Sequence, residues 1–156
     1  MIRRPLRPSS RQRGFTLVEL LITMTVMVVL LGIAVPSFKN FTASQRVKAA
    51  AYDLAATLLL ARSEAVKRNK AITIAPASGT DWSTGWTVKE TATLLDQKNA
   101  STGLAFTGPA NVSYQSNGRI AAAVTFNITD AAVSSARKCV KVDLLGIPST
   151  SSGACS

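Results

Sequence analysis

The stretch that decides the fold is Phe15–Phe38, FTLVELLITMTVMVVLLGIAVPSF, in a chain of 156 residues. Its only charged residue is Glu19, and the 19 residues from Leu20 to Phe38 are uncharged and mostly apolar. A helix of about 20 apolar residues is long enough to cross a bilayer. Because arginines precede the stretch, the amino terminus is expected to stay in the cytoplasm while the rest of the chain crosses the membrane.

The basic residues are concentrated in front of this stretch. The chain carries 18 Lys and Arg against 8 Asp and Glu, a net charge of +10. Five arginines lie within residues 1–14, with no acid among them, so removal of this segment would lower the net charge to about +5. About half of the net positive charge would then belong to the removed segment and would not indicate which partners the remaining chain binds. The five are Arg3, Arg4, Arg7, Arg11 and Arg13.

Two general readings of the apolar stretch are a plain membrane anchor and a secretory signal peptide. Gly32-Ile33-Ala34 resembles the small-x-small cleavage site of a signal peptide, but the apolar run is longer than a typical signal core. Neither reading explains Glu19, since a carboxylate at the middle of an apolar span costs about 2.5 to 3.5 kcal/mol and less near its edge. Such a charge indicates a partner.

The residues around Glu19 resemble the type IV prepilin signature. Gly14-Phe15-Thr16-Leu17-Val18-Glu19 has the basic leader, the Gly, the aromatic residue and the Glu at the fifth position after the Gly. In that family a membrane peptidase cleaves after the Gly and methylates the new terminal amine. The resemblance implies cleavage between Gly14 and Phe15, N-methylation of Phe15 and retention of the apolar helix.

The resemblance also gives Glu19 and Pro36 expected roles. A buried carboxylate is tolerated when an opposite charge pairs with it, and the terminal amine of a neighbouring subunit, on Phe15, would supply that charge in a filament. Pro36 has no amide hydrogen and breaks a helical bond, so we expect a kink or local melting there. A proline merely tolerated in a membrane helix is the alternative.

After Phe38 the apolar residues become periodic and the charged residues return. The spacing places six residues on one helical face, which predicts that a single helix continues to about Asn69 and packs on a sheet. Its basic residues are expected to form a solvated face, with ligand binding as the alternative. The six apolar positions are Val47, Ala51, Leu54, Leu58, Ala61 and Ala65.

The remainder is predicted to be β-rich, with Asn117-Gly118 as a turn between two strands. Strands that follow a single helix favour an α+β head with a mostly antiparallel sheet. We divide the chain into a leader (1–14), an apolar helix (15–38) and a head (39–156) of a helical half (39–69) and a β-rich region (70–156). The strand candidates are Ile72–Ile74, Trp86–Val88, Gly103–Phe106, Val112–Tyr114, Val124–Ile128 and Cys139–Leu144, the last with Val140, Val142 and Leu144 on one face.

Two head segments resemble the GspH/FimT family, which comprises minor pilins of type IV pili and minor pseudopilins of type II secretion. They are Ala61–Asn69, ARSEAVKRN, and Trp82–Trp86, WSTGW. The tryptophans bracket a Gly turn, and we expect their rings to be buried and to seal a sheet edge. Stacking on a ligand is the alternative.

The two cysteines lie near the carboxyl end. Cys139 begins a predicted strand, and Cys155 follows a Ser-rich segment, 148–154, which we expect to be too small and polar to hold itself in place. In an oxidising periplasm a bridge would close a loop of about 15 residues and stabilise the head by roughly 3 kcal/mol. Two free thiols are the alternative.

DNA binding is a further possibility, because some FimT-like proteins that serve DNA uptake carry a Gly-Arg-x-Arg stretch near the carboxyl end. The matching residues here are Gly146-Ile147-Pro148-Ser149, and both arginines are missing. The remaining candidates for phosphate contacts are ordinary surface cations. They are Arg119, Arg137, Lys138 and Lys141.

The resemblance implies a minor pilin that supports type IV pilus assembly or initiation, first in the inner membrane with a periplasmic head and later in the pilus. Its expected partners are other pilins and the prepilin peptidase. The alternatives are a minor pseudopilin of type II secretion and a DNA receptor for natural transformation. The chain has no His, its acids are scattered, and it lacks a phosphate-binding loop, so we expect no enzyme, cofactor or metal site.

Overall fold

The computed structural model describes residues 14–155. One helix, α1, spans Leu17–Arg68. It begins two residues after the predicted start at Phe15 and ends one residue before the predicted end at Asn69. It stops at Asn69, whose φ of 53° is left-handed. The Lys70 amide then reaches back to the Ala65 carbonyl at 3.2 Å. This is the Schellman arrangement, in which a left-handed residue lets the next amide hydrogen-bond to a carbonyl at the end of the helix.

The chain divides into two compact units, one that ends at Ser37 and one that begins at Phe38. In the first unit every described residue is exposed. α1 is the one helix among the described residues that is long and apolar enough to cross a membrane. We expected a kink or local melting at Pro36; the structure shows no melting, because helical structure continues through this residue.

The second unit contains eight strands among the described residues, and every strand pair is antiparallel. They form two four-stranded sheets, of order β3-β2-β1-β5 and β4-β6-β7-β8. The prediction of an α+β head is confirmed, but two sheets replace the single one expected. The strands are β1 (Ile72–Pro76), β2 (Gly85–Glu90), β3 (Thr93–Asn99), β4 (Leu104–Thr107), β5 (Val112–Tyr114), β6 (Val124–Asp130), β7 (Arg137–Val142) and β8 (Pro148–Ser152).

The core of the second unit lies between one face of α1 and the two sheets. All six apolar helix positions predicted from the spacing are buried. Ala43, Ala50 and Thr57 extend the same buried face. Both sheets contribute alternate residues, such as Ile72 and Ile74 of β1, because side chains of a strand alternate between its two faces. The buried positions that the spacing identified are Val47, Ala51, Leu54, Leu58, Ala61 and Ala65.

Strands β3 and β8 were not predicted, and both are edge strands with mostly exposed side chains. β8 pairs with β7 along its whole length, from Val142↔Pro148 to Lys138↔Ser152. The expectation that segment 148–154 cannot hold itself in place is therefore wrong. An edge strand shows little of the apolar alternation from which strands are predicted, because much of its side-chain surface faces solvent.

Two further details differ from the prediction. Strand β7 ends at Val142, and Leu144 lies in the following turn with its side chain exposed. The turn at Asn117-Gly118 does form, with Gly118 at φ 75°, but it does not join two paired strands. Strand β5 before it belongs to one sheet and β6 after it to the other, because each strand pairs where its own buried face fits.

Candidate functional site

The predicted processing junction lies just outside the helix. Gly14, Phe15 and Thr16 have no helical structure and are exposed. The Thr16 hydroxyl accepts a hydrogen bond from the Glu19 amide at 3.2 Å, which is the bond of an N-cap residue. The peptide bond between Gly14 and Phe15 is therefore not tied into helical hydrogen bonding. The leader's other residues, 1–13, lie outside the described residues.

Glu19 lies in the first turn of α1 and is exposed. In a capping box its carboxylate would accept a bond from the Thr16 amide, but no such bond and no ion pair of Glu19 occur among residues 14–155. The carboxylate thus stands on an apolar helix surface without a cation from the described part of its own chain. This arrangement can accept a positive charge from outside.

Pro36 is the other predicted assembly residue, 17 positions further along the same exposed helix. Without an amide hydrogen it cannot donate to the Gly32 carbonyl, so one bond of the helical ladder is missing there. The hydroxyls of Thr23 and Thr25, by contrast, donate additional hydrogen bonds to the Leu20 and Leu21 carbonyls. The polar groups of those threonines are thereby satisfied within the apolar helix.

The two cysteines are joined by a disulfide, with 5.0 Å between their Cα atoms. Cys139 lies on β7, and the bridge attaches to it the chain end that follows β8. The Cys155 amide also donates to the Asn127 side-chain oxygen on β6 at 2.6 Å. Three interactions hold the carboxyl-terminal end of the chain in place: the pairing of β8 with β7, the hydrogen bond to Asn127 and the disulfide.

Both tryptophans are fully buried, as expected, but in the core. Trp82 packs edge-on against Phe126 with ring centroids 4.9 Å apart, and its indole N–H donates to the Pro109 carbonyl at 2.7 Å. Trp86 donates to the Thr57 hydroxyl of α1 at 3.2 Å. Because β2 pairs with strands on both sides, Trp86 does not seal a sheet edge. Buried rings with satisfied N–H groups leave no free face for a ligand.

The basic residues at the end of α1 are partly ion-paired. Arg68 donates to both Glu64 and Glu90, Lys70 pairs with Glu90, and Lys67 lies 3.7 Å from Glu64. The hydrogen bond from Arg68 holds the pKa of Glu64 below its usual value. The hydrogen bond from Lys70 lowers the pKa of Glu90 in the same way. This cluster ties the helix end to β2.

The structure does not gather the four cations considered for DNA binding. Arg137 begins β7, and Lys141 lies four residues on, about 13 Å along the strand. Lys138 points to the other face of the strand and donates to the Ser152 hydroxyl at 3.3 Å. Arg119 lies in the turn at Gly118, which contacts the turn at Gly146 beyond the far end of β7.

Two features escaped the sequence analysis. Asp130 is buried beside a groove of about 390 Å³, and its Oδ1 accepts bonds from the Ala132 and Val133 amides. A turn-forming Asp before Ala-Ala-Val was the available signal. The second feature is the exposed apolar turn after β7. Among residues 14–155 no three His, Cys, Asp or Glu side chains are grouped to hold a metal ion.

Two models of known protein families match the chain, one over most of the head and the other over the amino-terminal part. A family model described as "Type II transport protein GspH" matches residues 50–146. A model described as "Prokaryotic N-terminal methylation motif" matches residues 9–35, which include the predicted processing junction and Glu19.

Two curated relatives from Pseudomonas aeruginosa, each named "Fimbrial protein", are 31% identical over 90 residues, 58% of this chain. The chain spans 56% of the length of these relatives. Among solved structures, two crystal forms of the P. aeruginosa type IV minor pilin FimU have TM-scores of 0.65 and 0.62 at 22% and 23% identity. The matches cover 74% and 70% of this chain and 97% of FimU.

The likeness to FimU shows the fold, in which one long amino-terminal helix accompanies antiparallel sheets. The GspH model covers more than half of the chain, and the methylation motif covers its amino-terminal part. The resemblance found from the sequence is thereby confirmed: the chain belongs to the GspH/FimT family of type IV pilin-like proteins.

Proposed function

We propose that this protein is a minor pilin, a structural subunit that supports the assembly or initiation of a type IV pilus. The observation that carries the proposal is Glu19, an exposed carboxylate without a described cation partner, in the first turn of a helix whose next 19 residues are uncharged. A partner in the membrane or in a filament is needed for such a charge. The independently packed head is what such a subunit would present at the filament surface.

The proposed life of the subunit begins in the inner membrane, with the head in the periplasm. The peptidase cuts between Gly14 and Phe15 and methylates the Phe15 amine. When subunits leave the membrane for the filament, that amine pairs with Glu19 of a neighbour. The missing helical bond at Pro36 gives the apolar helix a place where it can adjust during this transfer.

A minor pseudopilin of type II secretion is the second candidate. The description of the family model that matches residues 50–146 favours it. Pilus and secretion machines use the same processing and the same helix, so no residue described above separates them. The composition of the complex that contains the protein would do so.

A DNA receptor is a third candidate, and the positions of the four cations weigh against it. Strong binding to phosphates needs several cations on one surface, and here they lie on both faces of β7 and in a separate turn. Titration of the protein with a short labelled duplex at about 150 mM salt should give a Kd no tighter than about 1 μM. Sub-micromolar binding abolished by Arg137→Ala with Lys141→Ala would favour the receptor instead.

The main experiment is a pull-down of the full-length protein from detergent-extracted membranes, with mass spectrometry of the proteins that accompany it. Recovery of pilus subunits, together with the protein's presence in sheared pili, would support the minor-pilin proposal. Recovery of secretion pseudopilins alone would support the second candidate. Absence of any pilin-like partner under conditions in which pili assemble would contradict both.

A further inference from the structure

The turn after β7 displays aliphatic side chains on a rigid backbone. Leu144, Leu145 and Ile147 are 51%, 50% and 45% exposed. The Asp143 carboxylate accepts a bond from the Ile147 amide, and its carbonyl accepts one from the Gly146 amide, both at 2.9 Å. Exposed aliphatic residues held in a fixed conformation are typical of an interaction surface, because little entropy is lost when a partner binds.

This turn lies at the end of the head that is farther from Phe38. A Cβ atom at Gly146 would overlap the Gly118 carbonyl, and one at Gly118 would lie 2.9 Å from a Val66 methyl group. The two turns and the helix are therefore in contact. Val66 is 28 residues after Phe38 on α1, which corresponds to about 40 Å of helix.

The helix also exposes apolar side chains at this end of the head. A shallow groove of about 550 Å³ is lined by Leu59, Val66 and Arg62, among others. We define the distal patch as the exposed aliphatic residues of the turn and the helix at this end. They are Leu59, Val66, Leu144, Leu145 and Ile147.

Two guanidinium groups border the distal patch. Arg62 donates to the Gly118 carbonyl at 3.1 Å, and Arg119 follows Gly118 directly. Neither forms an ion pair among residues 14–155. Glu64, the acid nearest in sequence to Arg62, is already engaged with Arg68 and Lys67. The acid of the turn itself is Asp143, whose carboxylate accepts the bond from the Ile147 amide. Two guanidinium groups and one carboxylate therefore lie at this end of the head, which leaves an excess of positive charge.

We propose that the distal patch docks another pilin-like subunit, through an aliphatic centre and acidic residues that face Arg62 and Arg119. This inference rests on the proposed role as a filament subunit. A two-fold contact with a second copy of this chain fits poorly, because it would bring the same arginines together. Lipid is disfavoured because roughly 40 Å of helix separate Val66 from Phe38, where the second unit begins. Nucleic acid would need more cations or exposed aromatic rings.

The test uses the full-length protein in its native membranes, with a photo-crosslinking residue in place of Leu145 or, as a control, of Leu94. Leu94 is 50% exposed but lies on β3, at the sheet edge opposite β5. Position 145 should yield one discrete adduct with a pilin-like protein, at least tenfold more than position 94. Equal yields at both positions, or adducts with lipid, DNA or a second copy, would overturn the proposal.

Two substitutions test whether the adduct at position 145 depends on the aliphatic side chains and on the positive charge of the distal patch. Leu144→Ser and Arg119→Glu should each reduce the adduct at least fivefold, whereas Leu94→Ser should leave it unchanged. Unchanged yield with both patch variants would overturn the proposal. Tryptophan fluorescence verifies that each variant remains folded. If the adduct forms but the protein is absent from sheared pili and secretion complexes, the docking surface stands and the filament role fails.

Discussion

Apolar side chains are placed in opposite ways in the two units of the chain. In the first unit, from Gly14 to Ser37, every described residue is exposed. In the second unit, one helix face and both sheets bury theirs, and even the indole N–H groups of the core have partners. The second unit therefore has a core of its own, whereas the described residues of the first have none and need lipid or protein around them. Substitutions in the first unit should affect processing and assembly, and those in the core of the second should affect stability.

The largest expected effect concerns the processing junction. Gly14→Val should abolish cleavage, because the prepilin resemblance places a residue without a side chain before the scissile bond. A side chain at Gly14 meets nothing within 4 Å, so the fold should not change. Intact-mass measurement should find the wild type cut before Phe15 and methylated, and the variant uncut. A mature wild-type terminus at Val35, or an uncut wild type, would contradict the prepilin assignment.

Glu19→Gln should strongly reduce incorporation into filaments while membrane insertion and head stability stay unchanged. The amide keeps the shape of the side chain but cannot neutralise a neighbour's terminal amine. Thr25→Val is the matched control, since it also removes a polar group from the exposed helix. Immunoblots of sheared filaments and of membranes measure both quantities. Normal incorporation of Glu19→Gln would contradict the pairing.

Breaking the disulfide should destabilise the head without unfolding it. Loss of the bridge should lower the free energy of unfolding by about 3 kcal/mol, which is roughly 10 °C in Tm for a unit of this size. Strand β8 should keep its pairing, so the protein should stay folded. Because both tryptophans lie in the head, their fluorescence during thermal unfolding of the detergent-solubilised protein reports the change. Reduced wild type should match Cys139→Ala/Cys155→Ala; an unchanged Tm would contradict the prediction.

The smallest expected effect is a pH dependence from the ion pairs at the end of α1. The pKa values of Glu64 and Glu90 are lowered in the folded protein. Each carboxylate therefore stabilises the fold above its unfolded pKa, near 4.5, and this contribution is lost as pH falls through the lower folded value. Glu90→Gln should make the decline in Tm between pH 6 and pH 3 shallower. Gln97→Glu, which adds a carboxylate to exposed β3, is a charge control. A slope unaffected by Glu90→Gln would contradict the assignment.

The sequence was sufficient where a periodic pattern or a dense motif carried the information. The spacing of the helix residues from Val47 to Ala65 predicted the buried face, and the junction at Gly14 was found from adjacent residues. The two-sheet arrangement could not be predicted, because β5 and β6 follow each other in the chain but pair with strands of different sheets. Which strands pair depends on tertiary packing and not on the local sequence. Strand β8 was missed because Ser and Thr residues show no apolar alternation, although its backbone pairs along its full length.

The surface features of the candidate sites were predicted less well than the core. The exposure of Leu144 depends on where β7 stops, and the bonds of Asp143 decide that point. Alternation alone placed Leu144 on one face with Val140 and Val142. Three of the four cations considered for DNA binding are close in sequence, but strand alternation places Lys138 on the other face of β7 from Arg137 and Lys141. The fourth, Arg119, lies in a separate turn.

The Thr16 cap has a consequence for the mature protein. Since α1 begins at Leu17, a chain cut after Gly14 would start with two residues, Phe15 and Thr16, that are not part of the helix. Two residues of extended chain span at most about 7 Å. The new terminal amine would therefore have a short tether, with which it could move sideways from its own helix axis while the helix stays in place. Lengthening or shortening this tether by one residue would change the distance over which two subunits can join.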